Sequence, residues 1–476
     1  MNSEEEKTPL LPVEYRVDTH YPTPGSFPPA EALAAFQQQE ILRRRSQRRK
    51  RILRHIFGFL ILFFGFRFIL HGFHHFQGYH HGYHEHHPHW GYHDWSNEIG
   101  SSEYPIPPEF TVEECADWDD GQHTQSNGHS SVQHTFELPV SSDLLFLVAR
   151  GPSSMGEVNI VQAEEESDSA AITVITHYDE DGSDLLDLIK LCRVVAREGE
   201  NGIGIFSVRP PRRHPNRHVY FNVTVSLPKG SGESPLVVSN FTTKMNGIFE
   251  HHVADLSDSV FFNSISLRGA IKPIQVKSLK AGTAIMETVH SPIEGNFTVN
   301  DSLRLSTANA RIDASVNMLN KKSSEDKTNL EMDTVNAHIK ASVSLFSVDS
   351  EGDNSSSDGL FDIRAHTARG SIDVAFPTAP INSTVFLNAD TALGSIDVNM
   401  HNTFEGAFDV HSTPLDRTEV VQQEAEDPEG KNRKRNLIFD SVGGGSVRGK
   451  VFWGDKAEQR GLIRLKTALS HILLKV

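Results

Sequence analysis

Residues 303–312 read LRLSTANARI, and this ten-residue pattern decides the fold because it returns four more times in the second half of the chain. The further copies are LEMDTVNAHI at 330–339, IRAHTARGSI at 363–372, LNADTALGSI at 387–396 and IRLKTALSHI at 463–472. Each copy has two alternating apolar residues, a Thr, a small residue three positions later and a closing Ile. A unit that recurs in this way predicts a stack of similar structural elements.

The spacing within a copy indicates a strand, a corner and a second strand. Alternation runs through Leu303, Leu305 and Thr307, then steps by three to Ala310 and resumes at Ile312. In a strand such a step turns the inward side chains outward unless the backbone bends, and a small residue fits a tight bend. The residues at the step are not those of two-residue hairpins, so the pattern favours a corner. We therefore interpret the Thr and the small residue as corner residues rather than as a binding site.

The prediction for residues 130–476 is a mainly β domain whose repeats are concentrated in 262–476. Short runs rich in Val, Ile and Thr alternate with Gly, Pro, Asp and Ser, and only Asp184–Arg197 has the spacing of a helix. A β-solenoid of stacked coils explains why loops of variable length interrupt a constant strand motif. The alternative is a pair of β-sandwich domains, which accounts for the alternation but gives no reason for the recurring corner.

A resemblance to a known family rests on the signature Gly-Ser-Ile-Asp-Val, which occurs at 370–374 and again at 394–398 behind an Arg-rich apolar segment. In these features residues 130–476 resemble the adhesin-like β-solenoid family. More closely, the chain is similar to fungal single-pass membrane proteins with a lumenal domain of unknown function. The resemblance implies a scaffold at a surface or in a lumen, and it supplies no catalytic residues.

The distribution of charge predicts one membrane anchor near the N-terminus. Eight Lys or Arg residues lie between Arg43 and Arg54, fourteen Ile, Leu or Phe residues lie within 56–76, and no Lys or Arg occurs between Arg67 and Arg150. Cations beside an apolar run hold their side in the cytosol, so we expect a type II signal anchor with the rest of the chain on the far side. The span is marginal because Arg67 lies within it and must reach the interface.

The segments around this anchor differ in composition. Residues 1–42 are rich in Pro, Glu and Gln and are predicted to be a disordered cytosolic tail. Residues 43–55 form a basic flank, the span follows at 56–76, and residues 77–129 are a linker rich in His, Gly and aromatic residues. The tail is either inert or carries an acidic dileucine sorting signal for vesicle-coat adaptors, whose residues are Glu6, Leu10 and Leu11.

Two features agree with a lumenal or extracellular position for the large remainder. All Asn-x-Ser/Thr sequons lie beyond the predicted span, at Asn222, Asn240, Asn296, Asn300, Asn354 and Asn382. The only cysteines, Cys115 and Cys192, lie there too, and we expect either a disulfide or two buried thiols. The expected location is the secretory pathway, the vacuole or the cell surface.

The tract His71–His93 contains ten histidines and is the one candidate for metal binding. Neutral imidazole is a ligand for Zn and Cu, and a flexible tract can bring several rings together. No cysteine and few carboxylates lie nearby, so the expectation is weak Zn or Cu binding or a plain juxtamembrane spacer. The candidate ligands are His80, His81, His84, His86, His87 and His89.

No catalytic signature is found in the sequence, which lacks Gly-x-Ser-x-Gly, a phosphate-binding loop and His-Glu-x-x-His. Asp373 and Asp397 hold equivalent places in two copies and are the candidate pair for a glycosidase, although a solvated ladder is the favoured interpretation. A net charge of −17 makes nucleic acid a poor partner. The sequence therefore predicts a non-enzymatic, single-span glycoprotein that displays a β-solenoid to cell-wall polymers or surface proteins. The alternatives are a metal-binding membrane protein and a solenoid carbohydrate-active enzyme.

Overall fold

The described part of the chain consists almost entirely of β-strands, which confirms the mainly β prediction. Within it there are twenty-eight strands and one 3-10 helix, Glu180–Leu188. The computed structural model describes residues 106–126, 129–152, 155–208, 219–230, 234–245, 248–322, 325–349, 354–355, 358–413, 416–455 and 460–476.

The strands fall into an N-terminal group and a repeat group. The N-terminal group comprises β1 Thr111–Cys115, β2 Gln122–Ser126, β3 His129–Pro139, β4 Leu144–Arg150, β5 Met155–Glu166, β6 Ser169–Asp179, β7 Ile189–Val195, β8 Glu200–Ser207, β9 Tyr220–Lys229, β10 Leu236–Met245, β11 Ile248–Asp255, β12 Val260–Arg268 and β13 Ile274–Glu287. The repeat group comprises β14 Ile293–Ser306, β15 Ile312–Lys321, β16 Thr328–Asp333, β17 Ile339–Val348, β18 Asn354–Ser355, β19 Leu360–Thr367, β20 Ile372–Ala375, β21 Thr384–Thr391, β22 Ile396–Asn399, β23 Gly406–His411, β24 Thr418–Val421, β25 Arg435–Gly443, β26 Ser446–Trp453, β27 Gly461–Thr467 and β28 Ile472–Lys475.

The repeats build two parallel ladders, because each copy gives its first strand to one ladder and its second strand to the other. In the first ladder the order is β14, β16, β19, β21, β27 and β23. In the second ladder the order is β14, β15, β17, β20, β22, β28 and β24. The second ladder continues through β13 and β11 to β5 and β9.

The inner faces of the two ladders share one apolar core. Side chains alternate along each strand, so that Ile339, Ala341 and Val343 of β17 are buried while Lys340 and Ser342 are exposed. The closing isoleucines, preceded by Ile293 of β14, stack in register through the second ladder. Each is fully buried or nearly so, in the order Ile293, Ile312, Ile339, Ile372, Ile396 and Ile472. A slip of one residue would expose a whole inner face, so this apolar column fixes the register.

The conserved spacing of the corner has a direct hydrogen-bonding explanation. In each repeat the Thr hydroxyl is buried and donates to the carbonyl oxygen of the small residue in the preceding coil. The donor–acceptor pairs are Thr307–Ser291 at 3.2 Å, Thr334–Ala310 at 3.1 Å, Thr367–Ala337 at 3.0 Å, Thr391–Gly370 at 3.0 Å, Thr467–Gly394 at 2.9 Å and Ser412–Ser470 at 2.8 Å. We call these six bonds the corner ladder.

Close approach of the backbones explains the small residue of the corner. A Cβ atom added to Gly394 would lie 1.7 Å from the carbonyl oxygen of Gly370, and one added to Gly370 would lie 1.7 Å from that of Ala337. Neither position accepts a side chain without a backbone shift. The same two glycines donate their N–H groups to the hydroxyls of Thr391 and Thr367, at 3.2 Å and 3.1 Å.

The last repeat does not stack at the end of the series. β27 lies between β21 and β23, and β28 lies between β22 and β24. Residues 461–475 therefore form a rung between two coils that precede them in the sequence. Ile472 and Leu474 of this rung are buried in the shared core. Beyond β23, the antiparallel strands β26 and β25 extend the first ladder.

The strands before residue 130 belong to the same sheet system. β1 pairs with β7, and Cys115 lies opposite Cys192 in that pairing. A disulfide with an S–S distance of 2.08 Å joins the two cysteines. β2 and β3 form an antiparallel hairpin.

One detail of the sequence-based prediction is corrected by the structure. The helix predicted over Asp184–Arg197 is wrong beyond Leu188, because Ile189–Val195 pairs with β8 and β1 as a strand. Phe408 opens a further, less regular repeat, since it pairs with Ile463 in the first ladder. Ile271 is an exposed corner residue.

Several predictions concern residues outside the described part of the chain. These are the tail 1–42, the basic flank 43–55, the span 56–76 and most of the linker 77–129. Among the described residues no helix is long and apolar enough to cross a bilayer.

Substitution of a corner hydroxyl tests the corner ladder. We expect Thr367→Val to lower the free energy of unfolding by about 1–3 kcal/mol, because the Ala337 carbonyl and the Gly370 N–H both lose a buried partner. The matched control is Thr124→Val on β2, where the side chain is exposed and a change within about 0.5 kcal/mol is expected. Denaturant unfolding of both variants gives the values, and equal losses would contradict the role of the corner.

Candidate binding groove

A row of polar side chains crosses the outer face of the second ladder. In this row Asn159 of β5 pairs with His252 of β11, His252 pairs with Gln275 of β13, and Gln275 pairs with Glu294 of β14. Because parallel strands lie about 4.8 Å apart, the four side chains follow one another at that interval. Each of the four is followed or preceded by a buried apolar residue, Ile160, Val253, Val276 and Ile293 respectively, so all four side chains lie on the outer face.

A local irregularity turns this row into a groove. The pairing of β13 with β14 shifts register between Val276 and Leu279. Beside the shift, a Cβ atom on Gly295 would lie 2.4 Å from the carbonyl oxygen of Val276, so only glycine fits there without a shift. The resulting depression has a volume of about 430 Å³, within the range of small-molecule sites. Its lining residues are Asn159, Val161, His252, Val253, Ala254, Gln275, Val276, Lys277, Glu294 and Gly295.

Three of the polar lining residues are held by neighbours. The Asn159 Nδ2 group donates to Asn222 Oδ1 at 3.2 Å and to Glu157 Oε1 at 3.3 Å. His252 Nε2 lies 3.4 Å from Glu250 Oε1. Glu294 forms an ion pair with Arg311 of the next corner. These contacts fix the orientation of the groove wall before any ligand binds.

The two other polar lining residues are uncommitted. Gln275 and Lys277 are exposed on β13, and neither side chain makes a hydrogen bond or ion pair with another residue of the described ranges. An amide supplies two donors and one acceptor, and an ammonium supplies three donors. The groove therefore offers free hydrogen-bonding capacity beside a pre-oriented wall.

Asp373 and Asp397 lie further along the same ladder. They pair directly with each other on β20 and β22, as equivalent positions of two copies should. Lys340 is the neighbour of Asp373 in the register, and Lys475 Nζ lies 3.7 Å from Asp397 Oδ1. Flanking cations reduce the repulsion between the two carboxylates, which agrees with a solvated ladder.

The sequons occupy different environments. Asn296, Asn300 and Asn382 are exposed, whereas Asn222 and Asn240 are half-buried. Asn296 lies next to the groove, since it follows Gly295 and its Nδ2 group donates to the Lys277 carbonyl at 2.7 Å. Asn354 begins the short strand β18.

The metal and sorting candidates cannot be placed in the fold. His80, His81, His84, His86, His87 and His89 lie outside the described residues, and so do Glu6, Leu10 and Leu11. Among the residues that the structure describes, no group of three or more His, Cys, Asp or Glu side chains is arranged to hold a metal ion.

The outer face of the first ladder carries charges of both signs. Arg304 lies 3.7 Å from Glu287 and 3.4 Å from Glu331, measured between side-chain nitrogen and oxygen. Arg268 pairs with Glu287 at 3.2 Å. Exposed pairs of this kind contribute little stability, but they leave the face nearly neutral.

One carboxyl on this face has a perturbed pKa. Burial is the main cause that raises the pKa of Asp333 to about 6, and the negative charge of Glu331 is the second cause. The positive charges of Arg304 and His366 lower the pKa but do not cancel this rise. His366 in turn lies 3.1 Å from Asp390, between Nδ1 and Oδ1. Asp333 therefore holds its proton to a higher pH in the folded chain than in the unfolded one.

Comparison with known proteins gives one family match. A sequence model described as a domain of unknown function, DUF7330, matches residues 284–416, which is less than half of the chain. These residues run from the end of β13 past β23 and so include most of the regular repeats. No curated protein matches the chain.

Solved structures of three bacterial proteins are similar at low identity. A putative cell adhesion protein from Clostridium sporogenes has 9% identity and a TM-score of 0.14, and the match covers 72% of this chain and 98% of that chain. A putative adhesin from Parabacteroides merdae has 10% identity and a TM-score of 0.28, with 57% of this chain and 96% of that chain covered. A putative adhesin from Bacteroides fragilis has 12% identity and a TM-score of 0.19, with 56% of this chain and 94% of that chain covered. TM-scores of this size do not establish a shared fold, and no conclusion about this chain follows from them.

The perturbed carboxyl predicts a pH-dependent stability. Because the pKa of Asp333 is about 6 in the folded chain and about 3.9 when unfolded, folding retains a proton between these values and stability falls as the pH rises through them. We expect Asp333→Asn to be more stable than the parent at pH 7.5 by about 1–3 kcal/mol, with the difference shrinking towards pH 4. Asp313→Asn, which removes an exposed carboxylate on β15, is the control for loss of charge. A difference that stays constant across this pH range would contradict the assignment.

Proposed function

We propose that this chain is a non-catalytic, type II single-span membrane protein that displays an adhesin-like β-solenoid at the cell surface or in the secretory or vacuolar lumen. The observation that carries the proposal is the in-register stack of repeats, whose two ladders share a core and present two polar outer faces. A stack of this kind holds a binding surface in place without a ligand. Binding or scaffolding, rather than chemistry, is the function that such a surface supports best.

The membrane part of the proposal rests on charge. Eight cations immediately before the apolar run 56–76, and none from there to Arg150 apart from Arg67, favour a cytosolic N-terminus. The large remainder then matures on the far side of the membrane. The acidic net charge of the whole chain, −17, disfavours nucleic acid as a partner.

Covalent chemistry supports an oxidising, glycosylating compartment for the β part. Cys115 and Cys192 are bonded across the β1–β7 pair, and disulfides persist in secreted and lumenal proteins. The sequon residues Asn296, Asn300 and Asn382 are exposed, so a glycan attached to any of them would not clash with the core. Cell-wall polymers and surface proteins are the partners that this location offers, and vesicle-coat adaptors are the partners proposed for the cytosolic tail.

Protease protection in sealed microsomes tests this topology. We expect added protease to remove only the N-terminal tail and to spare the β part, whose electrophoretic mobility should increase after N-glycosidase treatment. The matched variant replaces the eight cations of 43–54 with Gln, which removes the orienting charge and should produce a mixed orientation. Digestion of the β part of the parent chain in sealed vesicles would refute the proposal.

A further inference from the structure

We infer that the groove between β5 and β14 binds an uncharged, polyhydroxylated glycan chain. The inference rests on the proposed function, since it names the ligand class for the displayed β part. Its starting point is the groove of about 430 Å³, where Gln275 and Lys277 are free while Asn159, His252 and Glu294 are already oriented.

The chemistry of the lining matches hydroxyl groups better than it matches ions. A hydroxyl both donates and accepts, as do the amides of Asn159 and Gln275 and the imidazole of His252. The charges around the groove are mixed, since Lys277 lies near the ion pair of Glu294 with Arg311, and Glu250 lies beside His252. A ligand of either charge therefore meets both signs in the groove and gains little from its field. A neutral sugar can use every one of these groups, because its hydroxyls present donors to Glu294 and acceptors to Lys277.

The length of the polar row matches a chain rather than a single sugar. The row continues in register past both ends of the groove, to Thr224 of β9 and to Asp313 of β15. Six rungs at about 4.8 Å span about 24 Å. A polymer lying across the strands would meet one polar side chain at each rung.

An exposed aromatic ring lies to one side of the row, on β9 four residues before Thr224. Tyr220 of β9 is 39% exposed, and its hydroxyl donates to Glu157 Oε2 at 3.4 Å. The same carboxylate accepts from Asn159 through its other oxygen. Tyr220 thus places an amphipathic ring beside the groove wall, where it can pack against the apolar face of a sugar.

The glycan has two sources, one of them within the chain itself. Asn296 borders the groove through its bond to the Lys277 carbonyl, so a glycan on Asn296 begins where the groove ends. A wall polymer is the other source. Both sources offer the same hydroxyl chemistry, and they differ in whether removal of the sequon changes binding.

Binding to immobilised polysaccharides tests the inference on the full chain in detergent. The probes are three uncharged polymers, β-glucan, chitin and mannan, with a sulfated polysaccharide as the charged comparison. We expect the parent to bind an uncharged polymer, and the double variant Gln275→Ala/Lys277→Ala to bind it about tenfold more weakly through the loss of two to three hydrogen bonds. The matched control is Asn388→Ala/Lys466→Ala, which removes an exposed amide and an exposed ammonium from the first ladder and should stay within about twofold of the parent.

The outcomes separate the inference from the proposed function. Three results overturn the inference: equal binding by the parent and the groove variant, preference for the sulfated polymer, or no binding to any uncharged polymer by either the parent or the Asn296→Gln variant. The display function stands in each case if the microsome experiment gives the expected protection. Stronger polymer binding after Asn296→Gln supports the groove and assigns its resting occupant to the chain's own glycan. Unchanged binding after Asn296→Gln, together with loss in the groove variant, supports an external polymer as the ligand.

Discussion

The stack depends on one contact, the hydrogen bond from a buried corner hydroxyl to the carbonyl oxygen of the coil before it. Six such bonds follow one another from Thr307 to Ser412, at distances between 2.8 and 3.2 Å. Each one satisfies a carbonyl at the corner between the two ladders, which would otherwise be buried without a partner. In each bond the acceptor carbonyl belongs to the residue three positions after the hydroxyl residue of the preceding coil. The same contact therefore fixes where the second strand of that coil begins. The apolar columns of the core then follow in register, and a slip of one residue would expose them all.

The regularity of the stack also explains where its surface departs from regularity. Along the repeats, charges on the outer face offset one another, as in the row from Lys340 through Asp373 to Asp397. The groove forms at the register shift of β13, where Gly295 lets two backbones approach. A binding surface on such a scaffold needs only a local defect, because the rungs on both sides remain fixed by the core. The proposed role as a displayed binding protein uses the scaffold in this way.

Much of the fold could be predicted from the sequence, because each repeat contains the alternating apolar and polar residues of two strands and the small residue of the bend between them. The alternation of Leu303 with Leu305, the step to Ala310 and the closing Ile312 correspond to a first strand, a corner and a second strand in the structure. The order of the strands could not be predicted, since the insertion of residues 461–475 between earlier coils is a long-range pairing with no local signal. Ser412 was missed because Ser replaces Thr at that corner, and Ile189–Val195 was missed because its helical spacing yields to pairing with two strands. The groove was missed altogether, since Asn159 and Gln275 become neighbours only through β11, and nothing in either strand alone marks the pair.

All the coils, including the last one in the sequence, stack in register along one column of isoleucines. Methyl–methyl NOE spectroscopy on a deuterated, isoleucine-labelled full chain reports on this stacking. We expect cross-peaks from Ile396 to both Ile372 and Ile472, because these residues are paired on adjacent strands. An Ile472 methyl signal with no cross-peak to Ile396, in a sample where the Ile372–Ile396 cross-peak is present, would rule out this stacking.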